Sequence, residues 1–244
     1  MTKHINIHSV ESLGALDGPG LRTVVFLTGC PLRCQYCHNP DTWMLGSGID
    51  YSYEELISQV LKMKPYFKNG GGVTFSGGEP LMQSDVLIPI AKRLKSEGIH
   101  IALDTAGVLW NDSIKALLQL VDLVLLDVKH TDHTTFTELT KGTLDDTLFF
   151  LEQLKKYQKP YWIRQVIVPT INNVQQQVLT LEKMTRSPLR EKIELLPFHK
   201  TGLYKWHALG LACPLEKIPE PTTSEMYLLS ALISDTDHRG RLSS

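Results

Sequence analysis

Short apolar, β-branched runs alternate along this chain with longer segments in which apolar residues recur at helical intervals. The runs predict strands, and the periodic segments predict helices. The predicted strands are residues 21–28, 72–75, 99–103, 122–127, 161–168 and 192–196. The predicted helices are residues 53–64, 84–97, 111–120, 145–158 and 174–185. Strands separated by helices form parallel βα units with right-handed crossovers, so the sequence predicts an α/β fold.

The number of predicted strands leaves two architectures open. Six strands could form an open doubly wound sheet or a partial barrel, and periodicity does not decide between them. One predicted helix is less regular, because Pro89 argues against a start much earlier than that residue. In either architecture, ligands gather at the carboxyl ends of the strands.

Polar or metal-binding residues follow five of the predicted strands at the point where each strand ends. They are Cys30 after the first strand, Gly77, Gly78 and Glu79 after the second, Asp104 and Thr105 after the third, Asp127 and Lys129 after the fourth, and His199 after the sixth. Because the carboxyl ends of parallel strands meet at one edge of a sheet, these residues predict a functional rim there.

The segment GCPLRCQYCHNP places Cys30, Cys34 and Cys37 within eight positions, whereas Cys213 lies far along the chain. Thiolates are soft ligands that select zinc, copper(I) or iron–sulfur clusters. A structural zinc site needs four protein ligands, and His38 or Cys213 could complete one, so zinc remains an alternative. Three thiolates on a cubane cluster leave one iron without a protein ligand, and an open coordination position is where a substrate or cofactor binds.

Charge and hydropathy exclude several functional classes. The 25 basic and 26 acidic side chains among 244 residues nearly cancel, so neither nucleic acid nor a membrane is expected as a partner. The start MTKHINIHSVES lacks the apolar core of a signal peptide, and no stretch approaches the roughly 18 apolar residues of a membrane span. We therefore expect a cytoplasmic protein of one domain, residues 1–244, whose thiols stay reduced and available to a metal. We also expect a monomer, although the sequence itself does not give the oligomeric state.

The spacing Cys30-x3-Cys34-x2-Cys37, with Tyr36 before the last cysteine, resembles the motif of radical S-adenosylmethionine enzymes. The resemblance implies a 4Fe–4S cluster held by these three cysteines, with its open iron chelated by the amino and carboxylate groups of S-adenosylmethionine. It implies that Tyr36, Cys37 and His38 frame the adenine, chiefly through backbone groups. It also implies one-electron cleavage of the sulfonium to a 5′-deoxyadenosyl radical.

Further segments extend the resemblance over roughly residues 7–200, most of the chain. They are similar, in order and separation, to the glycyl radical enzyme activases, and most closely to the pyruvate formate-lyase activating enzymes. The segments are IHSVESLGALDGPGLR, GGGVTFSGGEP, GIHIALDTAG, DLVLLDVK, WIRQVIVP and KIELLPFHK. The resemblance implies a partial (β/α)6 barrel of parallel strands with outer helices, a core at about residues 20–200, and a C-terminal extension, residues 201–244, of unassigned role.

The same resemblance assigns cofactor contacts at two strand ends. Gly77, Gly78 and Glu79 match a motif that holds the methionine amino group, where glycine allows close backbone approach. A Gly-Gly-Glu-Pro turn is common, so a structural role is the alternative. His199 matches a histidine that approaches the adenosine, although a lone histidine after a strand is more often an ordinary loop residue.

Asp104 and Thr105 resemble a strand-end pair that organises the carboxylate of the cofactor, with a monovalent cation as a possible partner. The family usually has Asp-Thr-Asn-Gly at this point, whereas this chain has Asp-Thr-Ala-Gly. The departure at Ala106 removes a polar side chain and weakens the assignment for that position alone.

Asp127 and Lys129 lie two residues apart at a strand end, so their side chains share one face. The resemblance implies contacts with the ribose and the carboxylate, with the backbone of Val128 nearby. A buried ion pair without cofactor contact is the alternative.

Arg164 alternates with apolar residues inside a strand, where a charge needs a partner. Its side chain either faces the cofactor or pairs with a charged residue in the protein interior, and the sequence does not decide between the two.

Asp17-Gly18-Pro19-Gly20 is a turn by composition. One interpretation is purely structural: the turn is a loop that precedes the first barrel strand. The resemblance implies that the loop lies near a peptide substrate and that Asp17 helps fix the segment that bears the target glycine.

The resemblance therefore implies removal of a hydrogen atom from a backbone glycine of pyruvate formate-lyase under anaerobic conditions, with a flavodoxin-like or ferredoxin-like electron donor. One alternative is activation of another glycyl radical enzyme. Another, from a different class, is a zinc-binding or electron-transfer module without radical chemistry.

Overall fold

The computed structural model describes residues 4–233, which contain one eight-stranded sheet. Its strands are β1 (His4–Gly14), β2 (Arg22–Leu27), β3 (Ile49–Ser52), β4 (Gly72–Gly77), β5 (His100–Thr105), β6 (Leu123–Asp127), β7 (Tyr161–Ile167) and β8 (Arg190–Pro197). Its α-helices are α1 (Tyr53–Met63), α2 (Ser84–Ser96), α3 (Asp112–Leu120), α4 (His133–Thr140), α5 (Leu144–Lys156), α6 (Gln175–Met184), α7 (Leu203–Ala208) and α8 (Thr223–Ser230).

The strand order is β3-β1-β2-β4-β5-β6-β7-β8, and the sheet does not close on itself. The six strands from β2 to β8 in this order are parallel, which confirms the partial (β/α)6 barrel. β1 and β3 add an antiparallel edge that the sequence analysis missed. Of the eleven residues of β1, only Ile5, Ile7 and Gly14 are buried, so the strand carries little apolar signal.

Alternation along the strands separates two apolar layers. On β6, Val124 and Leu126 point outward into the large core beneath the helices. Leu125 points inward and joins a small cluster with Ala102 and Trp162 in the barrel interior. Asp104, Asp127 and Arg164 lie two residues beyond Ala102, Leu125 and Trp162 on their strands, so charged side chains follow the small apolar cluster on the same face.

Capping residues start five of the helices. In each case a side-chain oxygen of the residue before the helix accepts a hydrogen bond from a backbone N–H in the first turn. These residues are Ser52, Asn111, Asp132, Thr143 and Thr222.

One interpretation of the sequence was wrong. α2 begins at Ser84 and carries Pro89 in its interior, so the proline does not delay the start of the helix. Pro89 lies past the first turn, where it removes one backbone hydrogen bond, and the helix is retained by its buried face, which includes Leu87, Ile90 and Leu94. The helices α4, α7 and α8 were not predicted. Residues 234–244 of the predicted C-terminal extension lie outside the described residues.

Candidate active site

The cysteine segment forms a loop directly after β2, at the carboxyl edge of the sheet. Its start is fixed by two backbone hydrogen bonds: the N–H of Gly29 donates to the carbonyl of Thr42 at 2.7 Å, and the N–H of Cys30 donates to that of Trp43 at 3.1 Å. We call residues 29–43 the cluster loop.

The C-terminus of α4 holds the other side of the cluster loop. The backbone N–H of Arg33 donates to the carbonyl of Thr140 at 2.7 Å, and that of Gln35 donates to the carbonyl of Leu139 at 2.9 Å. The last carbonyls of a helix have no partner within the helix, so they are free to accept these bonds. The helix ends at Lys141 in the left-handed conformation, with φ of 63°. A helix absent from the sequence prediction is thus a main support of the loop.

Burial of the loop thiols affects their chemistry. Burial raises the pKa of Cys30 and of Cys34 to about 12, and it also raises the pKa of Cys37. Such thiols stay protonated at neutral pH unless a metal replaces the proton, because a coordinating thiol is deprotonated by the charge of the ion.

The donor placement bears on the zinc alternative. No three histidine, cysteine, aspartate or glutamate side chains within residues 4–233 converge on a single metal ion. Cys213 comes near the cluster loop, but its sulfur lies against the carbonyl of Gln35 at 3.9 Å. The described residues therefore contain no preformed tetrahedral zinc site.

The Gly-Gly-Glu segment brings the ends of β2, β4 and β5 together. At Gly77, with φ of 104°, a Cβ would lie 2.3 Å from the backbone nitrogen of Leu27, and at Gly78 it would lie 2.3 Å from the carbonyl oxygen of Gly29. Only glycine permits this close approach. The two glycines therefore have a visible structural function, whether or not they also touch a cofactor.

Glu79 is a buried carboxylate at the same edge. It accepts hydrogen bonds from the hydroxyl of Thr105 at 2.6 Å, from the N–H of Ala106 at 3.0 Å and from the N–H of Leu81 at 3.2 Å. Burial nevertheless raises its pKa to about 7. The contact from residue 106 is made by the backbone, so the departure from the family at Ala106 leaves this bond intact.

Asp127 and Lys129 share one face at the end of β6, and their side chains form an ion pair at 2.5 Å. Burial alone would lower the pKa of Lys129, but Asp127 raises it well above its usual value. Between them, the N–H of Val128 donates to the carbonyl of Arg164, and the carbonyl of Val128 accepts from the side chain of Gln165. Both backbone groups of Val128 thus have partners within the protein.

Arg164 lies at the centre of an acidic group in the barrel interior, and it decides the question that the sequence left open. Its guanidinium lies 3.3 Å from Asp104, 3.4 Å from Asp17 and 3.7 Å from Glu194. Burial would lower its pKa, but the surrounding carboxylates raise it instead. Arg164 therefore links the Asp-Gly-Pro-Gly turn to the strand end at Asp104. Glu194 was missed by the sequence analysis, although a glutamate between Ile193 and Leu195 could have drawn notice.

Several buried polar atoms around this site have no hydrogen-bond partner within residues 4–233. They are Tyr36 Oη, Asp104 Oδ1, Arg164 Nε and Glu194 Oε2, among others. The second oxygen of Asp104 accepts from Ser76 at 2.7 Å, and burial raises the pKa of Asp104 to about 6. A buried carboxylate oxygen without a partner is costly, and a cationic ligand would satisfy it.

His38 and His199 meet on the far side of the cluster loop. The imidazole of His38 donates to the carbonyl of His199 at 3.0 Å, and the two ring centroids are 6.3 Å apart. Burial lowers the pKa of His38. Both histidines line a pocket together with Tyr36, Cys37 and Phe198. The structure thus brings His199 to the cluster loop, as the strand-end argument expected.

None of the helices in the described part of the chain combines the length and the apolar character needed to cross a membrane.

Comparison with known proteins agrees with this geometry. The family described as "4Fe-4S single cluster domain" matches residues 16–144. A radical SAM methyltransferase from Sphaerobacter thermophilus has a similar fold, with a TM-score of 0.62, 14% identity, and coverage of 87% of this chain and 63% of the other. That likeness bears on the fold alone. The family match covers more than half of the chain, so the chain is a protein of the 4Fe–4S single cluster class.

Two further matches are more specific. A pyruvate formate-lyase-activating enzyme from Clostridium pasteurianum is 46% identical over 217 residues, which cover 87% of this chain and 90% of the relative. The structure of a domain of such an enzyme from Bacteroides vulgatus has a TM-score of 0.55 and 26% identity, and the match covers 68% of this chain and 94% of the other. The chain belongs to the pyruvate formate-lyase-activating enzymes.

Proposed function

We propose that this protein activates pyruvate formate-lyase by removing a hydrogen atom from a backbone glycine of that enzyme, which leaves a glycyl radical. Its cofactors are a 4Fe–4S cluster and S-adenosylmethionine. When bound, they supply the one-electron cleavage that yields a 5′-deoxyadenosyl radical. The observation that carries the proposal is the meeting of the cluster loop, Glu79, Asp104 and the Asp127–Lys129 pair at one edge of the sheet.

The donors at this edge fit those groups. Cys30, Cys34 and Cys37 are proposed to hold the cluster. The carboxylates of Glu79 and Asp104 are raised in pKa by burial, so a positively charged amino group or a monovalent cation is the ligand that would keep them ionised. Lys129 is the cation suited to the cofactor carboxylate.

The remaining contacts are proposed from the position of each residue. We propose that Asp127 binds the ribose and that Val128, whose N–H and carbonyl already have partners within the protein, lies beside it. Tyr36, Cys37 and His38 are proposed to frame the adenine together with His199, which lies against them at the cluster loop.

The protein groups then control where the reaction takes place. Fixing the reacting atoms in near-contact is the main contribution that a protein makes to such a transfer. Within residues 4–233 the edge strand β8 pairs with β7 alone, and we propose that this unclosed side of the barrel admits a protein loop. Asp17 reaches the interior from the turn before β2 and contacts Arg164 there. We propose that Asp17 positions the glycine-bearing segment.

The test of this function is anaerobic reconstitution of the chain with iron and sulfide, followed by reduction in the presence of S-adenosylmethionine. Formation of 5′-deoxyadenosine supports the reaction class, and a glycyl radical signal that appears only with pyruvate formate-lyase supports the substrate. A radical on another glycyl radical enzyme alone would identify a different partner. Stoichiometric zinc, with no brown chromophore after reconstitution, would favour the non-catalytic alternative.

We also propose an electron donor, an oligomeric state and a domain organisation. The electron donor is a flavodoxin-like or ferredoxin-like protein, the chain works as a cytoplasmic monomer, and residues 1–244 act as one radical SAM domain. Reduction by purified donors, light scattering of the reconstituted protein and limited proteolysis test them in turn.

Asp17→Ala is expected to separate cofactor cleavage from activation of the partner. Arg164 keeps Asp104 and Glu194 as partners after the substitution, so the cofactor side of the site is little disturbed. We expect 5′-deoxyadenosine formation without the partner to stay within about twofold of wild type, and glycyl radical yield to fall by about tenfold or more, the effect of losing one charge-assisted hydrogen bond.

The matched variant Asp17→Asn keeps a side-chain acceptor and is expected to fall between Asp17→Ala and wild type. Equal losses in the two assays for Asp17→Ala would place Asp17 on the cofactor side and contradict the substrate-positioning role.

A further inference from the structure

The segment that follows β8 folds back onto the outer side of the cluster loop. α7 lies there, and its Trp206 is buried. The indole N–H of Trp206 donates to the carbonyl oxygen of Cys37 at 2.8 Å, across 169 residues of sequence. A donor from the C-terminal segment thus contacts the backbone of a proposed cluster ligand directly.

Two further residues of the same segment contact the residues that follow Cys37. The ammonium of Lys205 lies 2.8 Å from the side-chain oxygen of Asn39 and 2.9 Å from a carboxylate oxygen of Asp41. Gly202 packs so closely on His38 that a Cβ there would lie 2.6 Å from the Cα and the carbonyl oxygen of His38. The segment therefore contacts the cluster loop at residues 37, 38, 39 and 41.

An aromatic contact completes the arrangement. Trp206 packs edge-on against Trp43, with ring centroids 5.2 Å apart, and the guanidinium of Arg33 lies 5.0 Å from the Trp43 ring centroid. Trp43 ends the cluster loop, and its carbonyl accepts the N–H of Cys30. Both the start and the end of the loop are thus connected to α7 through Trp43.

The hydrogen bond from Trp206 has a defined consequence for the peptide unit that joins Cys37 and His38. The unit is planar and trans, so its carbonyl and its N–H point in opposite directions. When Trp206 holds the carbonyl of Cys37, it also fixes the N–H of His38 in the direction away from the indole. Tyr36, Cys37 and His38 line a pocket that they share with His199 and with Trp206 itself.

We propose that α7 is a positioning clasp for the cofactor: Trp206 and Lys205 hold the Cys37–Asp41 backbone in the one conformation that receives the nucleoside part of S-adenosylmethionine. This inference rests on the proposed function of the cluster loop. It assigns a role to the C-terminal segment and makes Trp206 and Lys205 positioning residues. Groups that orient a metal ligand without touching the metal affect affinity and cofactor properties in the same way.

The competing explanation is that α7 only covers the loop with apolar surface. Trp206→Phe separates the two, because phenylalanine keeps an aromatic ring against Trp43 but has no N–H for Cys37. Tyr204→Phe is a surface control on the same helix, because Tyr204 has 66% of its surface exposed and the substitution removes only its hydroxyl. Lys205→Met removes the contacts of the ammonium with Asn39 and Asp41 and leaves the indole of Trp206 in place.

The experiment uses each protein reconstituted anaerobically as the holoenzyme. Iron content, the S-adenosylmethionine dissociation constant and the electron paramagnetic resonance spectrum of the reduced cluster, with and without S-adenosylmethionine, are measured. For Trp206→Phe we expect wild-type iron content, about tenfold weaker binding and a reduced spectral response to S-adenosylmethionine. For Lys205→Met we expect about threefold weaker binding. Tyr204→Phe should match wild type.

Wild-type affinity and spectra in Trp206→Phe would overturn the clasp and leave α7 as a cover. If Trp206→Phe does not fold, Lys205→Met decides by the same measurements: weaker binding supports the clasp, and unchanged binding overturns it. Failure of the wild-type chain to assemble a cluster or to bind S-adenosylmethionine would refute the proposed function itself, which keeps the two failures distinct.

Discussion

Cys34→Ala is expected to abolish the visible absorbance of the reconstituted cluster and to reduce 5′-deoxyadenosine formation by more than about 100-fold, since even partners outside the ligand shell affect metal sites by roughly 10- to 100-fold. The fold should survive. Cys34 packs at the margin of a small apolar cluster with Tyr36 and Phe198, so losing its sulfur should cost about 1 kcal/mol of unfolding free energy. Iron content, absorbance, cofactor cleavage and far-ultraviolet circular dichroism check these points.

Cys213→Ala is the matched control for that experiment. Cys213 is a partly buried cysteine that also reaches the cluster loop, with its sulfur 3.9 Å from the carbonyl of Gln35. We expect this variant to retain the cluster and the cleavage activity. Loss of iron from Cys213→Ala would make Cys213 a fourth ligand and close the coordination position on which the proposed reaction depends. Normal cleavage by Cys34→Ala would remove Cys34 from the ligand set.

The parallel core was predictable because both of its signals are local. β-branched runs marked six strands, and helical intervals marked five helices between them, since each pattern reports burial on the element itself. The elements that were missed lack this self-contained signal. β1 has few buried apolar residues, and α4 is a helix of eight residues with a weak apolar face, so both depend on contacts with distant segments.

The candidate site also has a part that was predictable from the sequence and a part that was not. Strand-end positions placed Glu79, Asp104, Asp127 and His199 at one edge, because parallel strands must share an edge whatever their neighbours are. The contacts that hold the residues at that edge could not be predicted from the sequence. Nothing in the local sequence shows that the last carbonyls of α4 hold the cluster loop, or that Trp206 reaches Cys37. These contacts join residues more than 100 positions apart, and only the fold brings them together.

Arg22 is a third support that the sequence did not reveal, and it joins the Asp17 turn to the sheet. It is fully buried, and its Nε donates to the hydroxyl of Thr74 at 2.7 Å. Its other nitrogens donate to the carbonyls of Pro19, Gly70 and Val73, and to the ring of His100. Five acceptors thus meet the five N–H groups of the guanidinium. Burial lowers its pKa to about 10, so it stays charged at neutral pH.

Arg22→Met is expected to reduce the free energy of unfolding of the cluster-free protein by about 3–5 kcal/mol, because the substitution leaves several buried acceptors without a donor. Urea denaturation under anaerobic conditions measures the change. Arg93→Met is the matched control: Arg93 pairs with Glu97 on an exposed face of α2, so its loss should cost less than about 1 kcal/mol. A loss below about 1 kcal/mol for Arg22→Met would mean that water replaces the missing donors.

Because Arg22 holds the carbonyl of Pro19, a folded Arg22→Met variant should also activate the partner poorly while it still cleaves the cofactor. This result would show that the buried Arg22 helps to fix the position of Asp17.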